Sequence, residues 1–266
     1  MKILVCGDVV GRSGREIIEK KIPELRLKEN IDFVVVNAEN AAGGFGITKK
    51  ICENFYECGV DVITSGNHVW DQQEIISFID KDLRLLRPAN YSKKSPGRGF
   101  CRYKTRDGSE IVVINIMCRL FMESIDDPFE VLDNIIEKYY SDLRKPIILI
   151  DVHGEATSEK MSIGHYLDGK VTAILGSHTH IPTADSHIME KGTLYQSDLG
   201  MCGDYDSVLG MNKHSAVQRF RYKHKKIRLE TANGEATLCG VLFEVDKKTK
   251  KVIKFKQIKI GGILER

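Results

Sequence analysis

The sequence predicts an α/β protein in which helices cover β-sheets. Over the first two-thirds of the chain, short apolar runs rich in β-branched residues alternate with segments of helical character. A length of 266 residues allows one large α/β domain or two small ones. Because no repeat, low-complexity tract or Pro/Ser-rich linker divides the chain, we predict a single domain over residues 1–266.

The predicted elements follow in order along the chain. Six apolar runs have the length and composition of strands: Ile3–Cys6, Phe33–Val36, Val62–Thr64, Ile111–Ile114, Ile147–Val152 and Ala173–Leu175. Four intervening segments have helical character: Gly14–Lys28, Thr48–Glu57, Gln72–Ile79 and Phe129–Tyr140. Thr48 is placed to cap the second helix, and Asp127-Pro128 suits the start of the fourth. The tail predicts a hairpin of two strands, Leu238–Asp246 and Val252–Ile260.

Composition and charge exclude several classes of protein. Hydrophobic residues make up 42% of the chain and charged residues 29%, which is typical of a globular protein and not of a disordered one. Forty Lys and Arg against 37 Asp and Glu give a net charge of +3, without the basic excess of a dedicated nucleic-acid binder. No run approaches the ~20 apolar residues that span a bilayer, and the apolar start is too short for a signal peptide. We therefore expect a cytoplasmic protein with no membrane partner.

The cysteines do not form the pattern of a disulfide framework or a structural zinc site. They are odd in number and scattered, and no pair has Cys-x-x-Cys spacing. We expect reduced thiols that pack as small hydrophobic side chains: Cys6, Cys52, Cys58, Cys101, Cys118, Cys202 and Cys239.

A basic run lies between Arg219 and Arg228, where six of ten residues are Lys or Arg. We interpret it as a solvated loop or an edge strand. The alternative is a patch that contacts phosphates, which would make RNA a partner.

Side chains of metal-binding types recur directly after the predicted strands. Ligands of open α/β sheets bind beyond the carboxyl ends of the strands. Singly, each side chain also has a structural interpretation as a cap, a turn residue or a hydrogen-bonded histidine. Their joint recurrence at one sheet edge instead predicts a functional site. These residues are Asp8, Glu39, Asn40, Asn67, His68, His153, His178 and His180.

The triplet His178-Thr179-His180 is the strongest single indication of a metal. In an extended backbone, residues two apart point to the same side of the strand. We therefore predict an extended triplet that presents both imidazole rings as ligands.

The ligand types also predict the kind of metal. Carboxylate, carboxamide and imidazole groups without a thiolate suit Fe, Mn or Zn. Seven candidate ligands are too many for one tetrahedral ion, but they suffice for two ions that share a carboxylate, as in two-metal hydrolases. His68 is then well placed as the acid that protonates a leaving oxygen. The seven ligands are Asp8, Glu39, Asn40, Asn67, His153, His178 and His180.

The motifs, taken in order, resemble those of the calcineurin-like metallophosphoesterases. They are Gly7-Asp8, Gly66-Asn67-His68, Asp151-Val152-His153 and Gly176-Ser177-His178-Thr179-His180. The wider superfamily has Asp-x-His in the first motif and Asp in the second, where this chain has Asp8-Val9-Val10 and Glu39-Asn40. That departure closely resembles the YmdB family, as do three further motifs: Gly66-Asn67-His68-Val69-Trp70-Asp71, Arg87-Pro88-Ala89-Asn90 and Glu155-Ala156-Thr157-Ser158-Glu159-Lys160. The likeness extends over residues 1 to about 240.

The resemblance to the YmdB family implies a fold, an activity and a mechanism. The fold is a four-layer α/β/β/α sandwich, and the activity is that of a 2′,3′-cyclic-nucleotide 2′-phosphodiesterase, which yields the 3′-nucleotide. A hydroxide that bridges the two metal ions would attack the phosphorus, with His68 as the proton donor. The substrate would be a small nucleotide phosphodiester.

The same resemblance implies a role for each ligand. Asp8, Glu39 and His180 would hold the first ion, with Glu39 as the bridge. The other ligands would join Glu39 at the second ion or, for Asn40, lie in or against the same cluster. They are Asn67, His153, His178 and Asn40.

Two other functions remain open from the sequence. A phosphomonoesterase or protein phosphatase would use the same centre, because substrate choice lies in the loops. An RNA-associated regulatory protein would hold mainly structural metals and contact RNA through Arg219–Arg228. The oligomeric state is open as well, with a homo-oligomer among the alternatives.

Four residues near the motifs bear on the shape of the site. Cys118 stands where relatives are expected to have glycine, and Gly154 stands where alanine is common. Trp70 and Asp71 either orient His68 or begin the following helix, and we favour the second interpretation.

Overall fold

The computed structural model describes residues 1–140 and 145–265, in which twelve strands form two six-stranded sheets. The strands are β1 (Lys2–Val10), β2 (Phe33–Asn40), β3 (Val62–Thr64), β4 (Phe100–Lys104), β5 (Glu110–Met117), β6 (Ile147–His153), β7 (Ala173–Ser177), β8 (His187–Ile188), β9 (Leu194–Gln196), β10 (Met201–Asp204), β11 (Ala236–Val245) and β12 (Val252–Ile260). The α-helices are α1 (Gly11–Glu29), α2 (Lys49–Glu57), α3 (Pro128–Tyr140), α4 (Thr157–Leu167) and α5 (Lys213–Arg221).

Each sheet is built around parallel strands. The first has the order β12-β11-β10-β1-β2-β3, and β1 runs parallel to both β2 and β10. The second has the order β4-β5-β6-β7-β9-β8, in which β5, β6, β7 and β9 are parallel. In the first sheet, β1 also pairs antiparallel with β11. The sheet therefore joins the beginning of the chain to its end.

The alternation of side chains along β2 shows how the first sheet is covered. Phe33 and Val35 belong to a core cluster that contains residues of both sheets, whereas Val34 and Val36 pack with α1 and α2. Side chains of a strand alternate between the two faces, and parallel strands buried on both faces read as continuous apolar runs. A third cluster packs α3 and α4 on the second sheet, with Leu132 and Ile163 among its members.

The predicted α/β class is confirmed, and all six predicted apolar runs are strands or parts of strands. The C-terminal hairpin is confirmed as antiparallel β11 and β12. The Thr48 hydroxyl accepts a hydrogen bond from the Ile51 N–H at 3.3 Å, as expected of a helix cap. Asp127 accepts the Phe129 N–H at 2.8 Å at the start of α3.

Other expectations are corrected. Residues Gln73–Ser77 form one 3₁₀ helix in place of the α-helix predicted over Gln72–Ile79. Residues 219–221 of the basic run are the last turn of α5, not an edge strand, and the following residues form turns and loop. The strands β4, β8, β9 and β10 were not predicted, because their apolar patterns are too brief or too weak to show a period. The helices α4 and α5 were not predicted either, because few of their residues form an apolar face.

The structure also shows the state of the cysteines and the apolar character of the helices. All seven cysteines are free; five are buried, and Cys58 and Cys101 are half-buried. None of the helices in the described ranges is both long enough and apolar enough to cross a membrane.

Candidate metal centre

Five strands from the two sheets bring the candidate ligands to one place. Asp8 lies near the end of β1, Glu39 and Asn40 end β2, and His153 ends β6. The remaining ligands follow β3 and β7 within a few residues, and they are Asn67, His178 and His180. The site is therefore assembled at the carboxyl ends of parallel strands, where α/β sheets bind their ligands.

Three polar atoms converge on the Nε2 atom of His153. Asn67 Oδ1 lies 3.0 Å away, His178 Nδ1 3.1 Å and Glu39 Oε1 3.2 Å. One ring nitrogen cannot make three full hydrogen bonds to these partners at once. Such a convergence of nitrogen and oxygen donors fits a cation held between them. Glu39, His153 and His178 form one triad whose ligand atoms all lie within 4.8 Å of one another.

A second triad shares Glu39 with the first and also contains Asp8 and His180. All three side chains are buried, and the Oδ1 atom of Asp8 has no hydrogen-bond partner among the described residues. A buried carboxylate oxygen without a partner is costly unless a cation balances it. Asn40 Oδ1 lies 3.2 Å from His180 Nε2, so Asn40 adjoins this triad.

Gly66 has no side chain and so leaves a space beside Glu39 and His153. A Cβ atom built at this position would lie 2.2 Å from Glu39 Oε2 and 2.3 Å from His153 Nε2. Any other residue would fill the cradle between the ligands. The donor set, the unpaired oxygen of Asp8 and this cradle together fit two metal ions.

Hydrogen bonds hold the histidine rings in defined orientations. His180 Nδ1 lies 3.0 Å from the Leu209 carbonyl, which can only accept, so Nδ1 carries the proton and Nε2 is free for an ion. His153 Nδ1 lies 2.9 Å from the Ser177 hydroxyl, which itself donates to Asp151 at 2.6 Å. Asp151 also accepts from Asn37 and Thr64 of the first sheet, so this buried network joins the two sheets beneath the site.

The backbone of the His178-Thr179-His180 triplet is not extended, contrary to the prediction. His178 and His180 have φ values of +102° and +67°. The strand ends at Ser177, and the backbone N–H groups of His178 and Thr179 turn to donate to Asp8 and Asp198. The two rings therefore reach different triads instead of pointing to the same side.

A buried ion pair supports this turn. Lys160 Nζ lies 3.1 Å from Asp198 Oδ2 and 3.2 Å from the Ser177 carbonyl, and both charged side chains are buried. The same Asp198 oxygen accepts the Thr179 N–H at 3.0 Å. Because φ values above zero strain residues other than glycine, we infer that this pair helps to hold the triplet in place.

The ionisable side chains of the two triads shift one another's pKa values. Burial opposes the charge on His153, but the carboxylates of Glu39 and Asp8 outweigh it and raise the pKa of His153 to about 9. Burial and the charge of His153 lower the pKa of His178 to about 3. Burial raises the pKa of Asp8 well above its usual value. A cation in the site would favour the charged carboxylates and neutral imidazoles that bind metals.

His68 lies beside the triads without belonging to either. Its backbone N–H donates to Glu39 Oε2 at 3.2 Å, and its ring Nδ1 lies 2.8 Å from Asp71 Oδ2. This contact corrects our preference for Asp71 as the start of a helix, because the 3₁₀ helix begins only at Gln73. Trp70 packs edge-on against Tyr91 instead of contacting His68.

Comparisons with known proteins show the family of the chain. A sequence model of a family described as YmdB-like protein matches residues 4–258. The chain belongs to the YmdB-like family. A Bacillus subtilis (strain 168) relative named 2′,3′-cyclic-nucleotide 2′-phosphodiesterase is 44% identical to it over 261 residues, which are 98% of this chain and 97% of the relative.

Solved structures similar to this YmdB-like chain share its fold over almost the whole length. A hypothetical protein from Thermus thermophilus superposes with a TM-score of 0.91 at 35% identity, covering 99% of this chain and 100% of that one. A structure described as a novel phosphatase from Mycoplasma pneumoniae gives a TM-score of 0.89 at 36% identity, covering 98% and 93%.

Sequence reasoning missed the residues that support the candidate ligands of this YmdB-like chain. Asp151 precedes the ligand His153 by two positions on the same strand, so its position on the same face was a usable signal. Ser177, Lys160 and Asp198 gave no such signal, because their roles depend on contacts between elements far apart in the chain.

Proposed function

We propose that this protein is a dinuclear-metal phosphodiesterase that hydrolyses 2′,3′-cyclic nucleotides to 3′-nucleotides. The observation that carries the proposal is the pair of ligand triads that share Glu39, with His68 and Asp71 directly beside them. The 44% identical Bacillus subtilis relative bears the name of this activity. A single shared carboxylate is the usual arrangement of a two-metal hydrolase.

The proposed ligand sets follow the two triads. Asp8, Glu39 and His180 would hold one ion, and Glu39 would also serve the other. The second ion would be held by side chains around the Nε2 atom of His153, and these are Asn67, His153 and His178. Asn40 adjoins the first ion through its contact with His180. The donors suit Fe or Mn, with Zn as the alternative.

The proposed chemistry divides between the metals and His68. When bound, two such ions activate water and neutralise phosphoryl oxygens. The contact between Nδ1 of His68 and the Asp71 carboxylate leaves Nε2 as the ring nitrogen that serves the substrate. In hydrolysis, the bond from phosphorus to the ribose O2′ breaks, and His68 supplies the proton that O2′ needs to leave as a hydroxyl. The bond to O3′ stays intact, so the product is the 3′-phosphate.

The proposal includes the architecture and the location of the protein. The three core clusters, one of which contains residues from both sheets, favour a four-layer α/β/β/α sandwich. The pairing of β1 with β11 favours a single domain over residues 1–266. The cytoplasm remains the location that we propose.

A phosphomonoesterase is the second candidate, because the Mycoplasma pneumoniae structure is described as a phosphatase. Assays on bis-p-nitrophenyl phosphate, p-nitrophenyl phosphate and 2′,3′-cyclic AMP separate a phosphodiesterase from a phosphomonoesterase. They use the metal-loaded protein, and the metal content of the same sample is measured. We expect the diesters to be hydrolysed faster than the monoester, with little dependence on the base. Faster turnover of the monoester at saturating metal would replace the proposal with the phosphatase. Bound metal without any turnover would favour a structural role.

A further inference from the structure

The residues Arg219–Arg228, here called the basic segment, form a surface of unpaired positive charge. Its six Lys and Arg side chains are all exposed. Within the part of the chain that the structure describes, none of the six forms an ion pair with a carboxylate. By contrast, Lys213 at the start of α5 pairs with Asp206. The six are Arg219, Arg221, Lys223, Lys225, Lys226 and Arg228.

Aromatic side chains alternate with these charges. Phe220 is 75% exposed, although a phenyl ring is normally buried. The Tyr222 ring has the guanidinium of Arg221 5.5 Å and the ammonium of Lys225 4.8 Å from its centroid. The Phe220 ring is exposed and the Tyr222 ring is half-buried. Accessible rings among Lys and Arg side chains suit single-stranded nucleic acid, because bases stack on the rings while the charges follow the phosphates.

The chain ties the basic segment to the metal centre. The carbonyl of Leu209 accepts from the ring of His180, and Asn212 caps α5 through the N–H groups of His214 and Ser215. At about 1.5 Å per helical residue and at most 3.6 Å per extended residue, Arg221 lies within about 30 Å of Leu209. About ten nucleotides of a strand, at roughly 3.4 Å each, cover this distance.

The metal centre is partly open to solvent. The side chains of His68 and Glu155, which adjoin the triads, are 28% and 53% exposed. A nucleotide bound at the centre is therefore not sealed inside the protein, and its 5′ side can continue into a chain.

We propose that the basic segment binds the backbone of an RNA strand whose 3′ end, closed as a 2′,3′-cyclic phosphate, is the substrate of the metal centre. RNA that is cleaved by attack of its own 2′-hydroxyl carries this group, which is chemically the same diester as in a free 2′,3′-cyclic nucleotide. Water adds to phosphorus, the bond to O2′ breaks, O2′ takes a proton, and the strand keeps a 3′-phosphate. The inference rests on the proposed function and names its larger substrate.

The test measures binding and turnover separately on the metal-loaded protein. Binding is read by fluorescence anisotropy of an RNA of about ten nucleotides that carries a 3′-phosphate, over a range of salt concentrations. Turnover is read on the same RNA with a cyclic end and on 2′,3′-cyclic AMP. The variant is Lys223→Gln/Lys226→Gln. The matched control is Lys248→Gln/Lys251→Gln, which removes the same charge from the turn between β11 and β12.

Loss of two phosphate contacts should weaken RNA binding roughly tenfold at low salt and reduce the slope of log K against log salt by about 1.4. The KM of this variant for the cyclic-ended RNA should rise similarly, whereas its kinetics on 2′,3′-cyclic AMP should not change. The control variant should bind and hydrolyse both substrates as the wild type does. Phe220→Ala should weaken RNA binding about fivefold or more without changing the salt slope, because it removes stacking and no charge.

The outcomes separate the two proposals. If both double variants bind RNA as the wild type does, the basic segment has another partner, such as a protein, and this inference is overturned. If RNA binds through the segment but neither cyclic substrate is hydrolysed, the proposed activity fails. If 2′,3′-cyclic AMP is hydrolysed but the RNA end is not, the inference fails and the proposed activity stands.

Discussion

The ring of His68 lies 2.8 Å from the carboxylate of Asp71, three residues further along the chain. This contact holds one nitrogen of the imidazole, while the backbone N–H of His68 donates to Glu39, a residue shared by both ligand triads. The proton donor that we propose is thus fixed from two sides, by its own loop and by the metal centre. The sequence offered this orienting role of Asp71 as the interpretation that we did not favour.

Asp71 should act through His68. Replacing it by Asn removes the negative charge that orients the ring, so we expect kcat for 2′,3′-cyclic AMP to fall by about 10- to 100-fold, as for other groups that orient a functional side chain. Metal content should not change, because Asp71 belongs to neither triad. Steady-state kinetics with elemental analysis tests this. The control is Asp107→Asn, which makes the same substitution in the turn between β4 and β5, outside both triads. Loss of metal from Asp71→Asn would contradict the assignment.

The shared position of Glu39 predicts unequal losses of metal. Glu39→Ala should remove both ions, whereas Asp8→Ala should chiefly weaken the ion of its own triad. Elemental analysis of protein prepared without chelator and reconstituted with Mn or Fe should give about two ions per chain for the wild type. Equal losses in the two variants would argue against Glu39 as the bridge.

Metal binding should release protons. The raised pKa of His153, about 9, means that its ring is protonated in the metal-free protein near neutral pH, and a ligand must be neutral. Affinity for Mn²⁺ should therefore increase about tenfold per pH unit as the pH rises toward 9, and should level off above it. Calorimetric titration near pH 7 and pH 8, in buffers of different ionisation enthalpy, measures both the affinity and the protons. A constant affinity between these pH values would show that His153 does not have to lose a proton.

The side chain of Cys118 occupies the space that a side chain at position 154 would need. A Cβ atom at position 154 would lie 2.4 Å from the Cβ and 2.7 Å from the Sγ of Cys118. With cysteine at position 118, position 154 has room only for glycine. Gly154→Ala should lower the free energy of unfolding by about 1–3 kcal/mol through overpacking, and adding Cys118→Gly should recover most of this loss. Urea unfolding of both single variants and the double variant tests this pair. Strictly additive losses would show that the positions are independent.

The sequence predicts the side chains that line the site better than the residues that hold those side chains in place. Periodic apolar runs locate strand ends, and strand ends locate candidate ligands such as Asp8 and His153. The contact between Lys160 and Asp198 was not predictable, because the two residues are 38 positions apart and meet only when α4 packs on the second sheet. The extended backbone expected at His178 was wrong for the same reason. The N–H groups of His178 and Thr179 donate to Asp8 and Asp198, and these long-range hydrogen bonds outweigh the local preference.

The most direct test of the account is the effect of His68→Ala on two substrates with different leaving groups. Metal content should stay nearly constant, because His68 is in neither triad. Hydrolysis of 2′,3′-cyclic AMP, whose ribose oxygen leaves poorly without a proton, should fall by about 100- to 10,000-fold. Hydrolysis of bis-p-nitrophenyl phosphate should fall much less, because nitrophenolate leaves without a proton. Equal losses on both substrates, or loss of the metals, would contradict the role of His68 as the proton donor.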